Sequence, residues 1–364
     1  MKFLLKKKTI HNGLLLISFF LMSCWDLYTL KYGRFYDLIG VSLFFFFLVY
    51  SNPVKFLTTN EIFTISIILV SFFLLPAEDF YLNFKRHLLI FTGFLIFIVT
   101  RRLNVNDIKK LLYYLIIILI VSQIIEVIYF YFFSNFLFFG DDFIFPKRNF
   151  NNELNFFRPI GPFFLEANAY ASTLATLYAS QLKNNSQLMS NKISFKFITL
   201  IVFCSLLISN SIFGLGMALL ILTLYLLFCP KSFVFKIFLI FFLIFYFFSI
   251  PDIQISRLLN FSSDPSAASR LNLEVNNVFD FYSVIIPKGF NSLNEKELFG
   301  SNGFTFIFDG LGIFGIVFYL FFFFKFGFLF TIFFLCLNLT YPVYLIFIFY
   351  VVIGVLMPRP FLKN

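Results

Sequence analysis

Apolar stretches of Phe, Leu and Ile recur along this chain, many of them long enough to cross a bilayer, and one long polar interruption stands out among them. The interruption runs from Pro251 to Gly303, 53 residues between apolar segments that end at Ser249 and resume at Phe304. A hydrocarbon core of roughly 30 Å takes roughly 20 apolar residues as a helix, which satisfies its own backbone groups where water is absent. The pattern predicts an all-α, polytopic integral membrane protein whose long polar interval stands outside the bilayer. Composition agrees, with 60% hydrophobic residues and 13% charged ones, about half the usual charged share. The 65 phenylalanines are ascribed to codon bias and not to a cofactor site.

The expected spans are 10–25, 36–50, 61–76, 87–100, 109–133, 161–182, 195–209, 212–229, 233–249, 304–324, 326–340 and 343–357, about twelve helices in a single transmembrane domain over 1–364. With the N-terminus cytoplasmic, the inner loops hold 17 of the 28 basic residues, against only Glu61 and Asp107. Basic loops are retained in the cytoplasm, so the asymmetry predicts both termini inside. Loops 251–303 and 134–160 are then external. A net charge of +10 alone could point to nucleic acid, but this distribution follows membrane topology, and no nucleic-acid partner is expected. Lys6-Lys7-Lys8, an apolar stretch and Leu21-Met22-Ser23-Cys24 imitate a lipoprotein signal; Met22 fits it poorly, and the segment is expected as the first helix.

The four cysteines, Cys24, Cys204, Cys229 and Cys336, lie in or beside apolar segments without metal spacing, and the two histidines, His11 and His87, stand apart. Neither a disulfide nor a metal is indicated. Phosphate loops, nucleotide-binding glycine patterns and serine-nucleophile motifs are absent, which argues against ATP-driven transport and serine hydrolysis.

Ionisable residues inside spanning helices are costly and mark functional candidates. Glu166 opens a polar stripe continued by Tyr170, Thr173, Thr176 and Ser180. Glu126, with Ser122 and Gln123, lies in the outer half of the fifth span, and Asp309 near the outer end of the tenth. The plainer alternative is that these carboxylates pair internally and fix helix packing. In the long loop, Asp264-Pro265 reads as N-cap and first residue of a helix that carries Leu271, Val275, Val278 and Tyr282 on one face and Arg270, Glu274 and Asn277 on another. Arg158, Arg257 and Arg270 are candidate ligands for a lipid diphosphate, because guanidinium groups bind phosphate oxygens in pairs. Against this, Arg270 and Glu274 stand one helical turn apart and suit a surface ion pair. Ile286-Pro287-Lys288-Gly289-Phe290 reads as a turn, with Lys288 a further candidate for substrate contact. Gly310, Gly312 and Gly315, and likewise Gly214 and Gly216, read as sites of close helix packing.

Arg158-Pro159-Ile160-Gly161-Pro162-Phe163-Phe164-Leu165-Glu166-Ala167-Asn168-Ala169-Tyr170-Ala171 resembles a segment of bacterial O-antigen and capsular polysaccharide polymerases of the Wzy type, in the O-antigen ligase and polymerase superfamily. Ser209-Asn210-Ser211-Ile212-Phe213-Gly214, the long outer loop, its Pro287-Lys288-Gly289-Phe290 turn and the glycine-rich helix near Asp309 extend the likeness over roughly residues 150–325. The resemblance implies a GT-C-like glycosyltransferase, independent of metal and nucleotide. It would join repeat units carried on undecaprenyl diphosphate at the outer face of the cytoplasmic membrane. It also implies a membrane-lipid environment and a chain-length regulator protein as partner. The family's phosphate-binding arginines carry over onto Arg158 and Arg270. Ala167 stands where proline is common, and the turn after Arg270 is less glycine-rich than in the family.

On this reading Arg158 and Arg270 stabilise the departing diphosphate, Glu166 takes the proton of the acceptor hydroxyl, and Arg257, Tyr170, Asp309 and Lys288 contact substrate. Four alternatives stand beside it. A lipid-linked oligosaccharide flippase fits the span count but not the 53-residue external loop. An O-antigen ligase is disfavoured by the lack of histidine between Pro251 and Gly303. A transferase using a lipid monophosphate sugar would call on Asp26 and Asp37. An assembly protein without activity is the fourth.

Overall fold

The computed structural model describes residues 2–23, 39–46, 62, 66, 80–133, 159–164, 167–181, 193–228, 232–249, 312, 313, 315, 317, 328–338 and 347–356. Among the described residues the regular structure is helical, with no strand. The elements are α1 (Lys2–Ser23), α2 (Phe80–Thr100), α3 (Val105–Phe133), α4 (Ala167–Ala179), α5 (Ile193–Ile208), α6 (Ile212–Phe228), α7 (Phe233–Ser249), α8 (Phe328–Asn338) and α9 (Phe347–Leu356). Residues 39–46 are also helical.

The chain divides into two compact units, Met1–Val54 with Leu103–Pro251 and Ile346–Val355, and Lys55–Arg102 with Asp252–Leu345 and Leu356–Asn364. In the second unit, α2 ends where the Thr100 hydroxyl donates to the Ile96 carbonyl at 2.8 Å and the Arg101 guanidinium lies 5.4 Å from the centre of the Phe97 ring. Gly312 has a φ of 54°, so the backbone departs from α-helix inside the continuous tenth span expected over 304–324.

The first unit is built around α4, which packs against α3, α5 and α6; α1 packs on α3, and α7 on α5 and α6. Of the thirteen residues of α4, ANAYASTLATLYA, all but Asn168 are buried. Its small residues admit close neighbours on every side. α3 begins at an N-cap, Asn104, whose side-chain oxygen accepts from the Asn106 amide at 3.1 Å. At 29 residues it measures about 43 Å, long and apolar enough to cross a membrane. Shorter apolar helices of 10–17 residues occur beside it in the chain.

The faces of α3 and α7 reverse the pattern of a water-soluble helix. On α3, Ser122, Gln123 and Glu126 turn inward, whereas Ile118, Val121, Ile125 and Ile128 are exposed. On α7 the buried residues are Leu239 and Tyr246; Phe238, Phe241, Ile244, Phe245 and Phe248 are exposed. Contiguous apolar surface of this extent marks a membrane or protein interaction face.

Every lysine described in the first unit lies near the start of an odd-numbered helix: Lys2, Lys6, Lys7 and Lys8 in α1, Lys109 and Lys110 in α3, Lys196 in α5 and Lys236 in α7. The Lys236 ammonium donates to the Leu226 carbonyl, in the last turn of α6, at 3.1 Å, where a cation meets the negative end of the helix. Glu126 lies about 24 Å further along α3 than Lys110.

Several helices start earlier than the expected spans. α1 begins at Lys2, α2 at Phe80 and α3 at Val105, because nothing between the last breaker and the apolar run interrupts the helix. The sixth span differs the other way. It was expected from Gly161, yet α4 begins at Ala167 and residues 159–164 are not helical.

Candidate functional site

Pro159-Ile160-Gly161-Pro162 would be costly to bury without partners, since unpaired backbone groups away from water cost roughly a full hydrogen bond each. All four residues are nevertheless buried. Proline has no N–H, so only Ile160 and Gly161 bring donors. Both donate to one oxygen, Glu126 Oε2, at 2.7 and 2.6 Å. The Pro159 carbonyl accepts from Gln123 Nε2 at 2.8 Å. Gln123 and Glu126 stand three residues apart on one face of α3, which presents acceptor and donor together to this stretch of backbone.

Gly161 makes the approach feasible. Its φ is 78°, in the left-handed region that disfavours side chains, and a Cβ placed there would meet Ser122 Oγ at 2.6 Å. The Ser122 hydroxyl donates back to the Leu119 carbonyl at 2.7 Å. Aromatic contacts hold the rest of the segment. Phe163 meets Phe20 of α1 edge to face at 4.8 Å, and Phe164 meets Tyr170 at 5.3 Å.

Gln123 is also the hub of a second set of bonds. Its Nε2 donates to the Ser205 carbonyl at 3.1 Å, and its Oε1 accepts from the Ser205 hydroxyl at 2.6 Å and from the Tyr170 hydroxyl at 3.2 Å. Tyr170 and Ser205 share a further hydroxyl contact at 2.7 Å. A third link joins the starts of α4 and α6. Ser211 caps α6 by accepting from the Gly214 amide at 3.1 Å, and its hydroxyl donates to Asn168 Oδ1 at 2.6 Å. Asn210, at φ 50°, turns the chain between α5 and α6. A Cβ on Gly214 would fall 2.7 Å from the Leu206 carbonyl, whereas one on Gly216 would meet nothing within 4 Å.

These groups cluster at one end of the helix bundle: the late turns of α3 and α5, the starts of α4 and α6, and the non-helical segment between α3 and α4. Glu126, a candidate by its place in an apolar helix, is buried and bonds to backbone amides; of the residues assigned to catalysis or substrate contact, the structure describes Tyr170. It is fully buried, with its hydroxyl engaged by Ser205 and Gln123. Arg158, Glu166, Arg257, Arg270, Lys288 and Asp309 lie outside the described residues, as do the two loops 134–158 and 251–303. Thr173, Thr176 and Ser180, expected as a polar stripe, are all buried; the Ser180 hydroxyl donates to the Leu177 carbonyl at 2.6 Å.

Sequence reasoning passed over Ser205, Asn168 and the hub role of Gln123. The available signal was two polar side chains at positions i and i+3 on an apolar helix, followed by a Pro-X-Gly-Pro run in need of a donor and an acceptor. Among the described residues no group of three or more His, Cys, Asp or Glu side chains comes together. No family model, curated protein or solved structure matches the chain.

Proposed function

We propose that this chain is a polytopic membrane glycosyltransferase of about twelve spans that polymerises oligosaccharide repeat units carried on undecaprenyl diphosphate, at the outer face of the bacterial cytoplasmic membrane. The observation that carries the proposal is the fixing of Pro159, Ile160 and Gly161 by Gln123 and Glu126. Non-helical backbone within a membrane bundle is tolerated where it is buried in protein or lines a cavity, and it recurs at functional sites. Here it falls on the stretch that carries the likeness to polymerases, immediately after Arg158.

Orientation supports the same reading. The described lysines of the first unit gather at the end of the helices away from Glu126. Basic ends stay cytoplasmic, which supports a reading with the clamped segment on the outer side, where lipid-linked repeats would be joined.

In the proposed reaction an acceptor hydroxyl of one lipid-linked repeat attacks the anomeric carbon of the growing chain. The new glycosidic C–O bond forms as the bond to the diphosphate breaks, and the electron pair leaves on the diphosphate. The hydroxyl proton passes to a base, with Glu166 the candidate. Arg158 and Arg270 offset the charge that builds on the leaving group, which lowers the barrier because that charge is greater in the transition state. Arg257, Lys288 and Asp309 are proposed as sugar or phosphate contacts, and a chain-length regulator as partner.

Deletion of the gene in its own strain, followed by analysis of the surface polysaccharide, tests this. A polymerase deletion leaves single repeats, and complementation with Arg158→Ala or Arg270→Ala fails to restore long chains. Repeats trapped on the inner leaflet would mean a flippase, and long unattached chains a ligase. Restoration of long chains by both arginine variants would overturn the diphosphate role.

A further inference from the structure

We propose that Glu126 is a positioning residue, whose buried carboxyl group sets the placement of the Pro159–Gly161 backbone and through it the diphosphate-binding function of Arg158. This rests on the reading of Arg158 as a diphosphate ligand. Glu126 is wholly buried, and its Oε2 takes both backbone donors available between Pro159 and Pro162. That oxygen bonds to a non-helical segment that the prolines leave without a helical hydrogen-bond ladder of its own.

The bond also acts where adjustment is least available. Gly161 is held at φ 78° with Ser122 directly behind it, and Gln123 fixes the Pro159 carbonyl from the same face of α3. Arg158 is joined to Pro159 by one peptide bond, so this short stretch is its anchor on the C-terminal side. A side chain that must meet a diphosphate in a defined geometry depends on an anchor that does not drift, and loss of placement lowers binding even when every ligand residue is present.

The test uses the full chain in lipid nanodiscs, with undecaprenyl diphosphate as probe and two readouts. In the first, hydrogen exchange in the peptide containing Ile160 and Gly161 rises in Glu126→Ala, while peptides from α5 and α6 keep their protection. In the second, Glu126→Ala and Arg158→Ala each weaken probe binding about tenfold, and the double variant binds no more weakly than Arg158→Ala within about twofold, because coupled residues are not additive. Glu126→Gln, which keeps an acceptor oxygen, restores binding to within about threefold of the parent.

Unchanged exchange at Ile160 and Gly161 in Glu126→Ala overturns the clamp. Losses that multiply in the double variant overturn the action through Arg158. Unchanged binding in Arg158→Ala overturns the diphosphate reading itself, a failure seen in the second readout while the first still reports on the clamp. Where Glu126→Ala does not accumulate, Gly161→Ala displaces the same backbone with the carboxyl group intact and is expected to give the same pair of changes.

Discussion

The Gly161 amide donates to Glu126 Oε2 at 2.6 Å across 35 residues of chain. The bond closes the connection between α3 and α4, and it comes from a glycine held at φ 78°. Backbone conformation and side-chain acceptor are therefore matched to each other: only a residue free to adopt a left-handed φ brings this N–H and that of Ile160 onto one oxygen. The partner is local in neither sequence nor secondary structure, so the bond forms only once α3 and α4 have packed.

Substituting Gly161 tests that match. A Cβ at this position meets Ser122 Oγ at 2.6 Å and carries the penalty of a left-handed φ, about 1–2 kcal/mol for a non-glycine residue. Gly161→Ala is expected to lower the thermal unfolding midpoint of the purified protein. Adding Ser122→Ala removes the clash but not the φ penalty, so the double variant recovers part of the loss. Full recovery would mean that the backbone conformation carries no cost; no recovery would mean that Ser122 is not the obstacle.

The α5–α6 turn offers an internal control. Gly214→Ala places a methyl group 2.7 Å from the Leu206 carbonyl, a backbone atom that cannot swing aside, while Gly216→Ala meets nothing within 4 Å. The first is expected to destabilise by about 1–3 kcal/mol through overpacking. The second gains up to about 1 kcal/mol from alanine's higher helix propensity. Urea or thermal unfolding of the two variants side by side gives the sign of each, and equal shifts would contradict the close approach of Gly214.

Tyr170 is expected to act through its hydroxyl contacts with Ser205 and Gln123. Tyr170→Phe leaves buried polar partners short of one bond, a loss of about 1–2 kcal/mol. Ser205→Ala removes two of the bonds to Gln123 and Tyr170 at once. Because both belong to one network, Tyr170→Phe with Ser205→Ala should cost less than the sum of the two, read as unfolding free energies in a double-mutant cycle. Strict additivity would show that the hydroxyls act independently.

Periodicity and charge made the helices legible: α5, α6 and α7 fall within a residue or two of the spans expected from apolar runs alone, and the lysines mark one end of them. The break before α4 was written in the sequence as Pro159, Gly161 and Pro162, but a span defined by hydropathy runs straight through it. Glu126, Gln123 and Ser122 stood out as polar groups in an apolar helix, yet their partners could not be read, because most are backbone groups that carry no sequence signature and the others, the Ser205 and Tyr170 hydroxyls, are brought near only by packing. Tyr170 fell into a stripe with Glu166 by helical spacing, whereas its hydroxyl is taken by Ser205 of α5, a residue that looks ordinary in sequence. Periodicity shows which face is polar; only packing shows what that face meets.

The exposed apolar faces lead to a contrast that depends on depth. Phe241 stands at the middle of α7 and is 60% exposed; Phe233 opens the same helix and is 70% exposed. In water, exchanging either for aspartate would change stability by little, since exposed substitutions fall within about 0.5 kcal/mol. In a bilayer the central position costs about 2.5–3.5 kcal/mol on insertion scales, and the cost falls toward the interface. At the first turn, aspartate also meets the positive end of the helix dipole, which favours it. Phe241→Asp is therefore expected to reduce the carbonate-resistant, folded fraction in membranes severalfold, while Phe233→Asp leaves it near the parent level. Equal effects of the two, or a gain of soluble folded protein in Phe241→Asp, would show that α7 does not face lipid, and with it the membrane reading of this bundle would fall.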